Sequence, residues 1–267
     1  MDYSSIEHCY NNDKTVLKFC NDYNRSLNTV VFPKSLHTII FGNYYNQSLS
    51  TVDFPSHIYS IKFGHNFNKS LDNTKLPTNL YTIAFGHCFN QSLDNVHFPT
   101  NLYGIAFGYC FNQSLDKVTL PANLQSIVFG DCFNQVLDNV TFPMNMQTIV
   151  FGYSFKQPLD NVKLPNSLRH IKFGNDFNQS LEKLPENLNT VTIGREFNHL
   201  NNLPHTIEKL IFDDGIARDI TNLPFTIKQI KIMKYTEQSI KKLIKIPYGC
   251  KVIDSNDNEI KIDLQLH

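Results

Sequence analysis

Leu80-Tyr81-Thr82-Ile83-Ala84-Phe85-Gly86-His87-Cys88-Phe89-Asn90-Gln91-Ser92-Leu93-Asp94-Asn95-Val96-His97-Phe98-Pro99-Thr100-Asn101 is one copy of a unit that recurs every 22 residues. The aromatic before the glycine falls at Phe41, Phe63, Phe85, Phe107, Phe129, Phe151 and Phe173. A proline recurs at Pro33, Pro55, Pro77, Pro99, Pro121, Pro143 and Pro165. A fixed period in the twenties is the signature of a solenoid, in which each repeat is one coil stacked on the next. Such folds expose long ordered surfaces and seldom contain a catalytic cleft.

Within a unit, apolar residues two apart share one side of a strand. The stretch Thr82–Gly86 therefore predicts a strand with Ile83 and Phe85 inward and Thr82, Ala84 and Gly86 outward. Phe89, Leu93 and Val96 point inward again, Phe98-Pro99 closes the coil, and Leu102 opens the next. No helical periodicity is long enough for a helix inside a coil. Counting strands at Phe19, at Phe41 through Phe173, and at Ile193, Phe212 and Ile232 predicts eleven, with the spacing contracting to 20, 19 and 20 after Phe173. Residues 15–235 then form the solenoid, residues 1–14 an N-terminal cap and residues 236–267 a C-terminal cap. In the latter, Thr236 is read as the N-cap of a short helix. Lys251–Asp254 and Glu259–Asp263, flanking a polar turn, are read as a β-hairpin.

The order Leu80-x-x-Ile83-x-Phe85-x-x-Cys88 matches the opening of a leucine-rich repeat. The remainder, with Phe-Gly, Phe-Asn-x-Ser-Leu and Val-x-Phe-Pro or Val-x-Leu-Pro, resembles the FNIP repeat family of social amoebae and amoeba-infecting giant viruses. The resemblance covers residues 15 to about 235. It implies a mainly β, right-handed, leucine-rich-repeat-like solenoid with one long parallel sheet and about eleven coils of 19–22 residues. Many members of that family carry an N-terminal F-box and are thought to recruit targets to ubiquitin ligases. The roughly 14 residues before the first repeat here are too short for an F-box.

Lys plus Arg number 24, as do Asp plus Glu, and the pI is near 7.1. The sequence has no basic stripe to suggest nucleic acid or an anionic membrane surface as partner. No apolar run approaches the roughly 20 residues that span a bilayer, and Met1–Tyr10 lacks the pattern of a signal peptide. Six scattered cysteines point to a reducing, cytoplasmic setting, the host cytoplasm if the chain is viral. Asn24, Asn46, Asn68, Asn90, Asn112 and Asn178 each begin an Asn-x-Ser sequon. Their place in the repeat, shared with Asn134 and Asn198, favours an inward asparagine ladder over glycan attachment. Lys156 interrupts that column in the coil where Pro158 replaces serine, so this coil is expected to be irregular.

Several columns could carry chemistry. Cys88, Cys110 and Cys132 stack on consecutive coils, which suits either a redox staple or three buried thiols acting as small hydrophobes. His65 and His87 stack likewise, but Tyr109 and Asp131 continue their column, a poor set for zinc. Asp72, Asp94, Asp116, Asp138, Asp160 and Glu182 form an acidic column, read as capping local turns. No catalytic triad, phosphate loop or cofactor motif is visible, so an enzyme is not expected and no cofactor is implied. The remaining candidate is the outward strand face. Ala84, Ala106, Val128 and Val150 form its weakly apolar centre beside a glycine column expected to make the floor smooth. Tyr59, Tyr81 and Tyr103 border one side, and His65, His87, Tyr109, Asp131 and Tyr153 the other. This predicts a non-catalytic module that binds a protein, with a host protein as one candidate. The alternative is a structural or self-assembling protein, for instance a homodimer packed through the same face.

Overall fold

The computed structural model describes residues 6–200, 203–234 and 237–262. It contains one sheet of twelve parallel strands in sequence order. These are β1 (Val16–Lys18), β2 (Thr38–Ile40), β3 (Ser60–Lys62), β4 (Thr82–Ala84), β5 (Gly104–Ala106), β6 (Ser126–Val128), β7 (Thr148–Val150), β8 (His170–Lys172), β9 (Thr190–Ile193), β10 (Lys209–Phe212), β11 (Gln229–Ile232) and β12 (Lys251–Ile253). The molecule is thus a mainly β solenoid of leucine-rich-repeat type with about eleven turns. Each strand needs only three or four residues because the next coil supplies its ladder. The register aligns Ile83, Ile105, Ile127, Ile149 and Ile171 into one buried row.

Between strands, most coils turn three corners with i to i+3 backbone bonds. In the quoted coil these run from Phe89 N–H to Gly86 O, Val96 N–H to Leu93 O and Leu102 N–H to Pro99 O, at 3.2, 3.0 and 3.1 Å. Proline begins the third corner, where its carbonyl accepts and its missing N–H costs nothing. The side chains inside form two long files of rings. One runs from Phe19 through Phe173 with centroids 5.1–5.8 Å apart. The other runs from Tyr23 and Tyr45 through Phe197 at 6.0–6.4 Å. Within a coil the two files touch, as in Phe107–Phe111 at 3.9 Å. The surplus of phenylalanine is therefore the core itself.

Several expectations change. The glycine column is not a smooth outer floor. A Cβ at Gly42, Gly64, Gly86, Gly108, Gly130, Gly152 or Gly174 would sit 1.7–2.3 Å from the carbonyl oxygen at the matching place in the preceding coil. Glycine is required there by close backbone approach.

The asparagine column is half-buried or, at Asn24 and Asn198, exposed, and not interior. The Oδ1 atoms of Asn46, Asn68, Asn90 and Asn112 accept the backbone N–H of the next coil's equivalent residue, Asn68, Asn90, Asn112 and Asn134 in turn, at 2.9 Å. Glutamine shares that acceptor, for example Gln113 Nε2 on Asn90 Oδ1 at 3.0 Å.

The Lys156 coil keeps the common path but is locally different, as expected: lysine offers no Oδ1 to the next coil, and the Leu164 N–H turns back to Val162 O at 3.1 Å. The Lys156 amide still donates to Asn134 Oδ1, since a backbone N–H needs no particular side chain, and Phe155 still stacks on Phe177. Among the described residues, no carboxylate of Asp72, Asp94, Asp116, Asp138 or Asp160 accepts a turn N–H. Where a serine stands two residues earlier it takes that role, as Ser114 Oγ accepts the Asp116 N–H, and the acidic residues are exposed.

At the ends, β12 is a twelfth coil strand paired in parallel with β11, where a plain hairpin was expected. The chain then turns at Asp254–Asn258 and returns along the outer edge of β12. An antiparallel bridge joins Ile253 to Glu259, and the Ile260 N–H donates to Val252 O. Residues before β1 do the same at the other end, through an antiparallel bridge of Tyr10 and Leu17 that follows a 3-10 turn at Glu7–Cys9. Both exposed edges of the sheet are thereby paired, which removes a template for further strands. A short helix α1 (Glu237–Lys241) lies between β11 and β12. Its expected cap Thr236, the end of the expected hairpin at Asp263 and the first residues of the N-terminal cap lie outside the described residues.

Candidate functional site

Because side chains alternate along a strand, the residue between the two inward positions faces out. In register these are Ile40, Lys62, Ala84, Ala106, Val128, Val150 and Lys172 on β2–β8. Ala84, Ala106, Val128 and Val150 are half-buried by their neighbours and make an apolar centre, with a lysine on each side. Beyond Lys172 the face becomes charged. Lys172 Nζ lies 2.7 Å from Asp213, and Asn175 Nδ2 donates to Asp214 Oδ2 at 3.2 Å. Lys234 hydrogen-bonds Asp214 and holds its carboxyl below the usual range.

One rim is set by the residue just before each strand. Tyr59 and Tyr81 are exposed and Tyr103 is half-buried. Tyr81 and Tyr103 stack at 4.7 Å, as do His37 and Tyr59. The other rim lies on the first corner after the strand. His65, His87 and Tyr109 form a continuous stack at 4.5 and 4.7 Å. Asp131 follows, its Oδ1 accepting the Tyr153 N–H at 3.1 Å. The register thus sets Tyr59, Tyr81 and Tyr103 just before the strands and His65, His87, Tyr109, Asp131 and Tyr153 just after them, with Ala84, Ala106, Val128 and Val150 between.

Next to the second rim, Cys88, Cys110 and Cys132 are half-buried free thiols. Burial, with the neighbouring thiols, pushes Cys110 up. Among the described residues no three His, Cys, Asp or Glu side chains are grouped to hold a metal. None of the described helices is long and apolar enough to cross a membrane.

A feature missed in the sequence lies along the tyrosine rim. Asn79, Asn101 and Asn123, each two residues after a proline, line with Tyr59, Tyr81, Tyr103 and Gln125 an open groove of about 580 Å³. The repeated Pro-x-Asn was its signal, visible once the coil is known to fold the proline corner beside the strand start.

Residues 133–176 and 177–215 match the family model of the FNIP repeat, and residues 14–136 match that of the BspA type leucine rich repeat region. The chain carries FNIP repeats. CroV588, a giant-virus protein described as a novel circular LRR protein structure, is similar to this FNIP-repeat chain. It has a TM-score of 0.65 and 28% identity over 90% of this chain. The chain spans 43% of that protein's length. Comparison with curated proteins returned no match. Repeats of this type are commonly used to bind proteins and are generally non-catalytic scaffolds.

Proposed function

We propose that this chain is a non-catalytic recognition module that binds a protein partner on its open sheet face. The observation that carries this reading is the unpaired apolar strip of Ala84, Ala106, Val128 and Val150 between two ordered aromatic rims. Aromatic residues around a small apolar centre are the usual composition of an interface core. Ordered rings also lose little side-chain entropy on binding. The partner is a host or cellular protein met in the cytoplasm. Where such a solenoid is joined to an F-box subunit, it would serve as the target-recruiting arm of a ubiquitin-ligase adaptor.

The test is a photo-cross-linking amino acid at Ala106 or Val128, compared with one at Lys163 on the far side of the coil. Cross-linking of one and the same protein from the two face positions, lost in Ala106→Arg, is expected. Equal capture from Lys163 would sink the assignment. Self-association is the second reading. The paired edges of β1 and β12 disfavour end-to-end growth, so a dimer would have to pack face to face. Light scattering that shows a dimer, broken by Val128→Lys, would favour it.

A further inference from the structure

We infer that the groove along the tyrosine rim is a binding site for a neutral oligosaccharide. The site is an addition at the edge of the recognition face, and it stands whether or not a protein docks on the sheet. Its two walls repeat once per coil. Tyr59, Tyr81 and Tyr103 form one, and Asn79, Asn101 and Asn123 the other, with Gln125 also lining the groove.

The amide wall is held in a fixed orientation. Asn101 Nδ2 donates to Asn79 Oδ1 at 3.3 Å, and Asn123 Nδ2 donates to Thr100 O at 3.0 Å. Among the described residues no donor reaches Asn101 Oδ1 or Asn123 Oδ1. These carbonyl oxygens remain available as acceptors, as do the tyrosine hydroxyls as donors or acceptors.

The lining chemistry selects the ligand. None of the seven lining residues carries a charge. An ionic ligand would leave water without a counter-charge, and a phosphate backbone would find no Lys or Arg. A purely apolar ligand would strand the amides without partners. A neutral molecule with many hydroxyls and apolar C–H faces satisfies both walls, the hydroxyls on the amides and the faces on tyrosine.

The period selects a saccharide over an extended peptide. Same-side residues of a strand repeat about every 6.6 Å, whereas coils repeat at about 4.8 Å. A linear pyranose chain advances by about one coil per sugar and stays in step with the wall. There is also a break in the ring file. Tyr59 leans on His37, and Tyr81 on Tyr103, but no ring contact joins Tyr59 to Tyr81 among the described residues. Tyr59 and Tyr81 are both exposed, so ring surface is available there for a sugar to stack on.

The absence of tryptophan makes tyrosine emission a direct reporter. The full chain is titrated with cellohexaose, with maltohexaose as a differently curved neutral chain, and with trigalacturonate as a charged one. A saturable change with a neutral hexasaccharide at millimolar concentration or below is expected. Tyr81→Ala and Asn101→Ala should weaken it about tenfold or more, while Tyr248→Ala, at an exposed tyrosine outside both rims, leaves it unchanged. Tyr81→Phe keeps the stack on Tyr103, controls for folding, and should weaken binding less than alanine. No saturable response to either neutral chain, binding insensitive to Tyr81 and Asn101, or preference for trigalacturonate would each overturn the inference. None of these outcomes bears on cross-linking from Ala106 or Val128, so the two readings fail separately.

Discussion

Gly108 shows most sharply why single residues decide this fold. A Cβ there would lie 1.8 Å from Gly86 O, whereas at Gly104, inside β5, the nearest atom would be Thr82 Cγ2 at 3.6 Å. Gly108→Ala should therefore cost about 3 kcal/mol, the upper end for overpacking. Gly104→Ala should be neutral or stabilise by about 0.4–1 kcal/mol through the unfolded chain. Chemical denaturation of the two variants checks this, and equal midpoints would mean that the coils can move apart. The inward residues were legible because their period is local. The bonds of the asparagine column were not, since each acceptor lies one coil away and a sequence shows a column without showing what it touches. Asn112 Oδ1 accepts both Asn134 N–H and Gln135 Nε2, at 2.9 and 3.0 Å. Asn112→Ala should cost about 1–3 kcal/mol, the penalty for stranding such donors. Asp116→Asn, at an exposed carboxylate, should stay within about 0.5 kcal/mol. Equal melting temperatures for these two would remove the ladder from the account of stability.

At the scale of elements, the strands were legible, β12 among them, but the parallel partner of β12 was not. Lys251 pairs with Gln229, 22 residues earlier, so the period persists after its motif has gone. The polar turn that follows gives a strong hairpin signal, and part of that hairpin exists as the return of Glu259 and Ile260. Local turn chemistry thus outweighed a long-range parallel partner that leaves no mark in composition. The pairing of β8 with β9 supplies a pH test. His170 Nε2 lies 2.9 Å from Thr192 Oγ1. Burial, with Lys172 and Lys209 nearby, lowers its pKa below 6.5. Below pH 6.5 the unfolded chain binds a proton that the folded chain resists, so stability falls as pH drops from 6.5 to the folded pKa and then levels. His170→Gln should flatten that part of the melting-temperature profile. Parallel profiles for the two proteins would show that this histidine does not set it.

The whole molecule is a nearest-neighbour stack closed at both ends, and its stability should behave as one. Phe111 is fully buried, 3.9 Å from Phe107 and 6.1 Å from both Phe89 and Phe133. Every contact between the two halves of the ring files passes through its coil and those beside it. Phe111→Ala should cost about 3–5 kcal/mol, as for a large aromatic in a core. In a one-dimensional array the loss falls on two interfaces, so the halves should lose their cooperativity and melt apart. Phe32 has a stacked ring on one side only, Phe54 at 5.9 Å, and belongs to the first coils. Phe32→Ala should therefore fray that end and leave a single main transition. Hydrogen exchange along a denaturant series separates the cases. Phe111→Ala should give two blocks of protection with different midpoints, split near β5, and Phe32→Ala one block with a weakened N-terminal coil. A single uniform loss of protection in Phe111→Ala would mean that cooperativity extends well beyond adjacent coils. The recognition face would then respond as a unit to damage anywhere along the sheet, including under the groove between Tyr59 and Gln125.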